Sequence, residues 1–516
     1  MNGLSKPAPP AATSFGEPRW PTAVALLISA VAIAASAWVA LGVFEGLPHI
    51  EDEMAFLWEA GVMAEGNIRM PSPPSPRSFL VPFVVDHDGQ RFGKYPPGWP
   101  AALSLGARAG AAWLVNPLLA GLGVWLIYRL GSRVASPWIG VLAAGLVAAS
   151  PMLLILSGSF MGHALGLVLA AAFWLAWIDL FMPAPAGETK AIAASLLVAV
   201  AGLSLGLLAL TRPLTAVGVA LPCAVHAVRI LLRGQAPERR RLLGMAGISL
   251  ALAAVLFLWQ AALTGDPWLN PYTLWWRYDR VGFGPGIGRA ASGHNLHWAL
   301  VNTRFSLSAG LHDLFGWPYL SWIFLPFGLY ALRRSRAGLL LAAGFPSLVL
   351  VYMAYWIGSW LLGPRYYYES LPGLAIASAA GAAWLGGWLR RRSSRLARVR
   401  AFAVAALLMV LLALNLGFYV PQRVGGLRGL YGVSREGLRP LEQADLGRAL
   451  VIVHPARAWT EYGTLLILTP PFAQSELLLA YTRGDLVDQA LALAFPDHRL
   501  IHYYPDEPGK FYDRPR

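Results

Sequence analysis

The chain has 516 residues, a formal net charge of +14, 56% hydrophobic residues and only 13% charged residues. Soluble globular chains carry roughly 25% charged residues. A disordered chain, a disulfide scaffold and an ordinary cytosolic enzyme are therefore excluded, which leaves an integral membrane protein with several spans.

Residues 1–20 are rich in Pro, Ala and Ser and read as a disordered lead. The uncharged run Pro21–Phe44 is too long for a signal-peptide core of about 7–15 residues, so it reads as an uncleaved first span. Further apolar runs long enough to cross about 30 Å of hydrocarbon follow. They lie near 112–131, 137–157, 162–182, 190–210, 213–232, 242–263, 316–333, 338–358, 370–389 and 401–420, which makes eleven spans.

The basic residues are almost all arginine, the lysines being Lys6, Lys94, Lys190 and Lys510. With the N-terminus inside, alternate short loops collect Arg129 and Arg133; Lys190; Arg229, Arg233, Arg239, Arg240 and Arg241; Arg333, Arg334 and Arg336; and Arg390, Arg391, Arg392, Arg395, Arg398 and Arg400. That pattern obeys the positive-inside rule and predicts an N-in, C-out topology, with no need of a nucleic-acid partner. The predicted fold class is an all-α polytopic membrane protein over 21–420, with outer loops 45–111 and 264–315. A small α/β domain outside the membrane is predicted over 421–516. There Ala449–Val453 and Leu500–Tyr504 read as strands and 473–494 as helical. No internal repeat of the transporter kind is present. Cys223 sits alone in an apolar run, so it forms neither a disulfide nor a cysteine metal site.

On the outer side, Glu51-Asp52-Glu53 follows the first span directly. Met54, Leu57, Trp58, Gly61 and Val62 recur at helical spacing, as in a helix lying on the membrane surface. Asp52, Phe56, Glu59 and Met63 lie opposite that stripe, so Asp52 is better placed than Glu53 to face a cavity. Acidic helix capping explains the same residues equally well. Next comes Lys94-Tyr95-Pro96-Pro97-Gly98-Trp99-Pro100, a stiff turn with Trp99 suited to the bilayer interface. Lys94 reads either as a point-charge contact for phosphate or as a snorkelling lysine.

An acidic pair after the first span, followed by Lys94 to Pro100, resembles the multi-spanning GT-C glycosyltransferases. The likeness is to family 39 and its bacterial relatives, the protein O-mannosyltransferases and the lipid A aminoarabinose transferase. It extends over roughly 20–390, through Ser150-Pro151, Ser157 to His163, Thr211-Arg212-Pro213 and Gly363 to Glu369 with Pro372. The resemblance implies a sugar carried on polyprenyl phosphate and moved, with inversion, to an acceptor hydroxyl on a lipid, glycan or protein. The site would face outward from the cytoplasmic (inner) membrane. In that scheme Asp52 is the base and Glu53 positions it or the acceptor, while Lys94, Arg212 and Arg365 hold the phosphate. Tyr95, His163, Tyr366, Glu369 and His294 line the substrates.

Each cation has a plainer alternative: a salt bridge to Glu369 for Arg365, and a bare turn between hairpin spans for Arg212. His163 stands where some relatives bring another carboxylate, and reads as an acceptor contact, a metal ligand or a structural helix-start residue. Asp52 and His163 are too few ligands for a metal site, so no cofactor is assigned and a divalent metal stays open. The loop from Trp275 to Gly288 reads as a flexible aromatic loop, with His294, His297, His312 and Asp313 near an acceptor entrance. Two other functions fit less well. A transporter or flippase would place ionisable residues inside its spans, which are nearly free of them here. An O-antigen ligase or polymerase would use outer Arg and His residues but leaves the acidic pair unexplained.

Overall fold

The computed structural model describes residues 20–182, 191–389, 394–457, 460–468, 471 and 475–516. The N-terminal lead up to residue 19, Lys190 and Arg390 to Arg392 lie outside the described residues. Sixteen helices build the apolar body and its outer loops. They are α1 (Trp20–Trp38), α2 (Glu51–Ala64), α3 (Gly98–Arg108), α4 (Val115–Val134), α5 (Pro137–Ala148), α6 (Pro151–Gly158), α7 (His163–Phe181) and α8 (Ala191–Thr211). Then follow α9 (Pro213–Arg233), α10 (Ala236–Thr264), α11 (Pro271–Trp275), α12 (Leu296–Asp313), α13 (Leu325–Leu332), α14 (Arg336–Tyr352), α15 (Leu371–Leu385) and α16 (Arg395–Leu414).

Among the described residues, seven helices are long and apolar enough to cross a membrane. The number is eight if α5 and α6, bent by 59°, count as one broken span. The bend falls at Ser150, whose hydroxyl caps α6 at Leu153 N and donates to Leu314 O at 2.6 Å. Three expected spans are cut short. Over 316–333 only α13 is helical, because Gly316 (φ 68°) and Tyr319 (φ 62°) turn the chain back. The spans expected over 338–358 and 370–389 are α14 and α15, of 17 and 15 residues. Helix α15 is buried along almost its whole length. It packs on α13, α14 and α5 and so need not match the bilayer thickness itself.

Helix α1 packs on α4 and α5, α8 on α7 and α10, and α9 on α14. Small residues allow the close crossings: a Cβ on Gly131 of α4 would lie 2.6 Å from the Cα of Gly140 on α5. Arg133 of α4 pairs with Asp179 of α7 at 2.6 Å, so both helices end on one face. Cys223 is buried and free.

The first outer loop is more than a connection. After α2 it forms an antiparallel sheet of β1 (Met70–Pro71), β2 (Val84–His87) and β3 (Gln90–Gly93), in the order β1-β3-β2. Asp88 (φ 48°) and Gly89 (φ 73°) make the two-residue hairpin turn between β2 and β3. In the second outer loop, Leu296–Asp313 forms helix α12.

The C-terminal domain carries β4 (Ala449–Val453), β5 (Leu477–Tyr481), β6 (Arg499–Tyr503) and β7 (Phe511–Tyr512) in the order β5-β4-β6-β7. Strand β4 matches the expected range, and β6 is displaced from its expected range by one residue. The helix expected over 473–494 is corrected: Leu477–Tyr481 pairs with β4 as a parallel strand, and only Asp485–Ala494 is helical. A short apolar run of this kind is ambiguous by periodicity, and Gly484 separates the two elements. Residues 472–474 are outside the described residues. The domain rests on the first outer loop: Leu47 enters its core beside Leu438, Val451 and Tyr462. Arg483 donates to the carbonyl of Arg77.

Gly131→Leu should overpack the α4–α5 crossing, at a cost of about 1–3 kcal/mol. Thermal unfolding of the purified protein in detergent should show a lower midpoint. An unchanged midpoint would mean that this contact does not set the helix spacing.

Candidate active site

Helix α2 begins immediately after the chain leaves the first span, and its first turn distributes two carboxylates differently. Glu53 reaches back over the start of α2 as the acidic half of a capping box: its Oε2 accepts from the N–H groups of His49 (2.7 Å) and Ile50 (3.2 Å). Its Oε1 accepts from Phe160 N at 2.8 Å, which ties α2 to the turn between α6 and α7. Glu53 is 1% exposed. Burial pushes its carboxyl up to about 7 against the pull of the three N–H donors. Asp52, with its side chain 25% exposed, points the other way. It accepts from the Tyr95 hydroxyl at 2.6 Å and stands 3.8 Å from Arg365 Nη1.

Helix α2 does not present a free apolar stripe. Met54 and Val62 of its apolar stripe are buried, and so are Phe56 and Glu59 opposite, because α3, β3 and the C-terminal domain enclose it.

The Lys94 to Pro100 segment is likewise internal. Lys94 is 3% exposed. Its Nζ lies 3.2 Å from Asp279 Oδ2, 3.7 Å from the Phe83 ring centroid, and within 5.0 Å of those of Tyr272 and Trp276. Burial lowers its ammonium pKa, while Asp279 opposes that shift. Lys94 is therefore neither snorkelling nor a free cation, since aromatic faces and one carboxylate already satisfy it. Trp99 is buried rather than interfacial, and its Nε1 donates to Phe160 O at 2.8 Å. Gly98 is needed for close approach: a Cβ there would sit 2.8 Å from the Leu210 carbonyl at the end of α8. The motif thus docks α3 on the helix end that presents Arg212.

Arg212 is no bare turn residue. Its Nε donates to Thr215 Oγ1 (3.0 Å) and its Nη2 to the Tyr352 hydroxyl (3.0 Å), and those two hydroxyls share a 2.6 Å hydrogen bond. Glu369 Oε1 stands 3.5 Å from Nε. The pairing considered between Arg365 and Glu369 does not form. Residues Arg365–Ser370 make a 3₁₀ turn broken at Tyr367 (φ −119°, ψ 19°), so the helical i,i+4 geometry is missing. Arg365 turns to Asp52 and Glu369 to Arg212.

Tyr366 stacks on Tyr352 with ring centroids 4.4 Å apart, forming a wall beside both arginines. His163 is buried at the start of α7 with its ring 6.2 Å from that of Tyr368. Neither of its ring nitrogens has a hydrogen-bond partner among the described residues.

Two expected lining residues have other positions. Glu369 is wholly buried behind Arg212 and supports that cation. His294 is buried in its own loop, stacked on Phe283 and bonded through Nε2 to Met353 O at 2.9 Å. Asp313 does not line an entrance either: it is buried under Arg423, at 3.0 Å, and the Tyr419 hydroxyl. Among the described residues no three of His, Cys, Asp and Glu gather as a metal site.

Sequence reasoning missed Asp279, Thr215, Tyr352 and the part played by Glu59. Asp279 accepts from Lys94, the Tyr355 hydroxyl (3.0 Å) and Trp356 Nε1 (2.9 Å), so it joins three outer segments. A lone acid inside an aromatic run was the available signal. Buried Glu59, on the Asp52 face of α2, accepts from Tyr95 N at 3.3 Å, and burial raises its carboxyl pKa. Nothing in the sequence singled out Thr215 or Tyr352.

No family model matches the chain, and no curated protein matches it. Solved structures do. ArnT from Cupriavidus metallidurans bound to undecaprenyl phosphate superposes with a TM-score of 0.57 at 14% identity, covering 92% of this chain and 89% of that one. The apo oligosaccharyltransferase of Archaeoglobus fulgidus gives 0.54 at 13% identity over 89% of this chain. AglB from the same organism, in complex with an inhibitory peptide and a dolichol-phosphate, gives 0.53 at 13% identity. The chain spans 65% of the length of the apo archaeal enzyme. The chain has the fold of the GT-C glycosyltransferases, which are multi-pass membrane proteins.

Glu53 makes stability depend on pH in a defined direction. Its folded pKa of about 7 lies above the ordinary 4.5, so its contribution is complete below pH 4.5 and is lost as the pH rises through about 7. Melting midpoints of the wild type and Glu53→Gln, measured from pH 4.5 to 8, should show a wild-type advantage that shrinks as the pH rises. A constant difference would mean that Glu53 titrates normally.

Proposed function

We propose that this protein moves a sugar from a polyprenyl-phosphate carrier to an acceptor hydroxyl, with Asp52 as general base and Arg212 and Arg365 as the phosphate-binding cations. The observation that carries this reading is the pairing of a partly exposed carboxylate with a cation at 3.8 Å, with a second arginine held nearby. A single displacement needs this combination. The acceptor oxygen attacks the anomeric carbon from one face and its proton passes to Asp52. The bond from that carbon to the phosphate oxygen breaks on the opposite face, and its electron pair leaves with the phosphate. The anomeric configuration inverts.

The surroundings suit each step. Arg365 faces Asp52 at 3.8 Å, and the Tyr95 hydroxyl fixes the orientation of that carboxylate. Arg212 is held through Nε and Nη2, which leaves its Nη1 for a phosphate oxygen. Glu53 serves as the fastener of α2, and Lys94 anchors the second outer loop through Asp279. His163 has two unused ring nitrogens that suit a substrate hydroxyl. The carriers in the ArnT and AglB structures, undecaprenyl phosphate and a dolichol-phosphate, support the same class of donor. The arginine-rich loops, read by the positive-inside rule, support an outer location for this site.

Asp52→Asn should melt like the wild type yet lose transfer of labelled sugar from a polyprenyl-phosphate donor in membranes of the producing cell. General-base removal typically costs about 10²–10⁴-fold, and near-normal transfer would remove Asp52 as the base. Arg365→Glu should weaken binding of undecaprenyl phosphate to the purified protein by at least about tenfold. Unchanged affinity would return Arg365 to a structural role.

A further inference from the structure

A second charged cavity, of about 630 Å³, lies between the end of the first span and the segment that follows the last one. It shares no lining residue with the Asp52 cluster. Its walls hold Arg428, Arg435 and Arg439 with Leu41, Glu45 and Glu436. Glu45 works as the scaffold. Its Oε1 accepts from Arg428 Nε (3.3 Å) and Nη2 (3.2 Å), its Oε2 from Arg435 N (2.6 Å), and its backbone carbonyl from Arg435 Nε (3.1 Å). The Arg435 backbone N–H, more than any other contact, holds the Glu45 carboxyl below its ordinary pKa. With those bonds made, the Nη groups of Arg435 and the whole guanidinium of Arg439 carry no hydrogen bond or ion pair among the described residues. Both residues are exposed.

The level of this cavity relative to the membrane follows from its neighbours. Leu41, Leu416 and Phe418 are exposed apolar side chains on the last turns of the two flanking spans. Arg428 and Arg435 come directly beyond them. The cavity thus lies where lipid headgroups meet the protein. On the face that the charge pattern assigns to the exterior, arginine next to a span is disfavoured. Glu45 and Glu436 offset two of the three arginines on these walls, which leaves a positive surplus that suits an anion. Guanidinium forks match the tetrahedral oxygens of phosphate.

We propose that this cavity binds the phosphate of an anionic membrane lipid, with Arg435 and Arg439 as the ligands and Glu45 and Arg428 as their support. The lipid's acyl chains would lie along Leu41 and Phe418. This site is separate from the one that would hold the sugar donor, and it stands whether or not the glycosyltransferase reading is correct.

The test uses the purified full chain in a neutral detergent, titrated with phosphatidylglycerol, with diacylglycerol of the same chains, and with inorganic phosphate, read by native mass spectrometry. Phosphatidylglycerol should bind, diacylglycerol should not, and inorganic phosphate should bind far more weakly. Arg435→Gln with Arg439→Gln should lower phosphatidylglycerol affinity by about tenfold or more, and Arg365→Glu should leave it unchanged. Arg439→Gln alone removes a guanidinium with no hydrogen bond or ion pair among the described residues, so it should fold normally and still weaken binding. Loss of binding in Arg365→Glu but not in the double variant would overturn the proposal by placing the lipid at the other arginines. Equal affinity for inorganic phosphate, or for diacylglycerol, would overturn it as well.

Discussion

A carboxylate that loses its water beside a bilayer must gain a cation or several N–H donors, or else give up its charge. The outer half of this protein is organised around that constraint. Glu53 takes three backbone N–H groups, Asp279 takes Lys94 with two aromatic side-chain donors, Glu369 faces Arg212, and Asp313 is closed by Arg423 and Tyr419. Each pairing fastens a different pair of elements: α2 to the α6–α7 turn, the first outer loop to the second, the 365–370 turn to the start of α9, and α12 to the segment after α16. Asp52 is the acid left with a longer contact to its cation, at 3.8 Å, and with access to solvent. The framework acids are buried, and Asp52 is partly exposed.

That contrast gives the proposed chemistry its physical basis. A base must be held in place yet free to accept a proton, and a phosphate-binding cation must not already be neutralised at close range. Lys94 fails the second condition, because Asp279 and four aromatic rings already surround it. Arg365 meets it best, with its carboxylate at 3.8 Å, while Arg212 faces Glu369 at 3.5 Å and offers only Nη1. The same logic extends to the membrane surface, where Glu45 saturates itself on Arg428 and the Arg435 backbone and leaves Arg439 unmatched.

The sequence made legible whatever depends on composition and local pattern. Long uncharged runs marked α1, α4, α7, α8, α9 and α10. The low charged fraction made Asp52, Glu53, Lys94, Arg212 and Arg365 stand out, and the structure brings Asp52, Arg212 and Arg365 into one neighbourhood. Strand β4 was visible as a bounded β-rich run. What was not legible depends on tertiary context. Helix α15 is short because protein, not lipid, surrounds it, and hydropathy cannot tell those two solvents apart. The Arg365–Glu369 spacing suggested a salt bridge that a 3₁₀ turn does not permit. Lys94 looked like a phosphate contact or a snorkelling lysine because the Asp279 that neutralises it is distant in sequence. The Asp88-Gly89 hairpin was readable from its turn residues and was passed over inside a loop.

The central claim is that Arg365 exchanges Asp52 for a lipid-borne phosphate. The most direct measurement is a structure of the full chain with undecaprenyl phosphate bound. The account expects phosphate oxygens within hydrogen-bond distance of both Arg365 and Arg212, with Asp52 parted from Arg365 but still held by Tyr95. A phosphate seated elsewhere, with the Asp52–Arg365 contact intact, would contradict it.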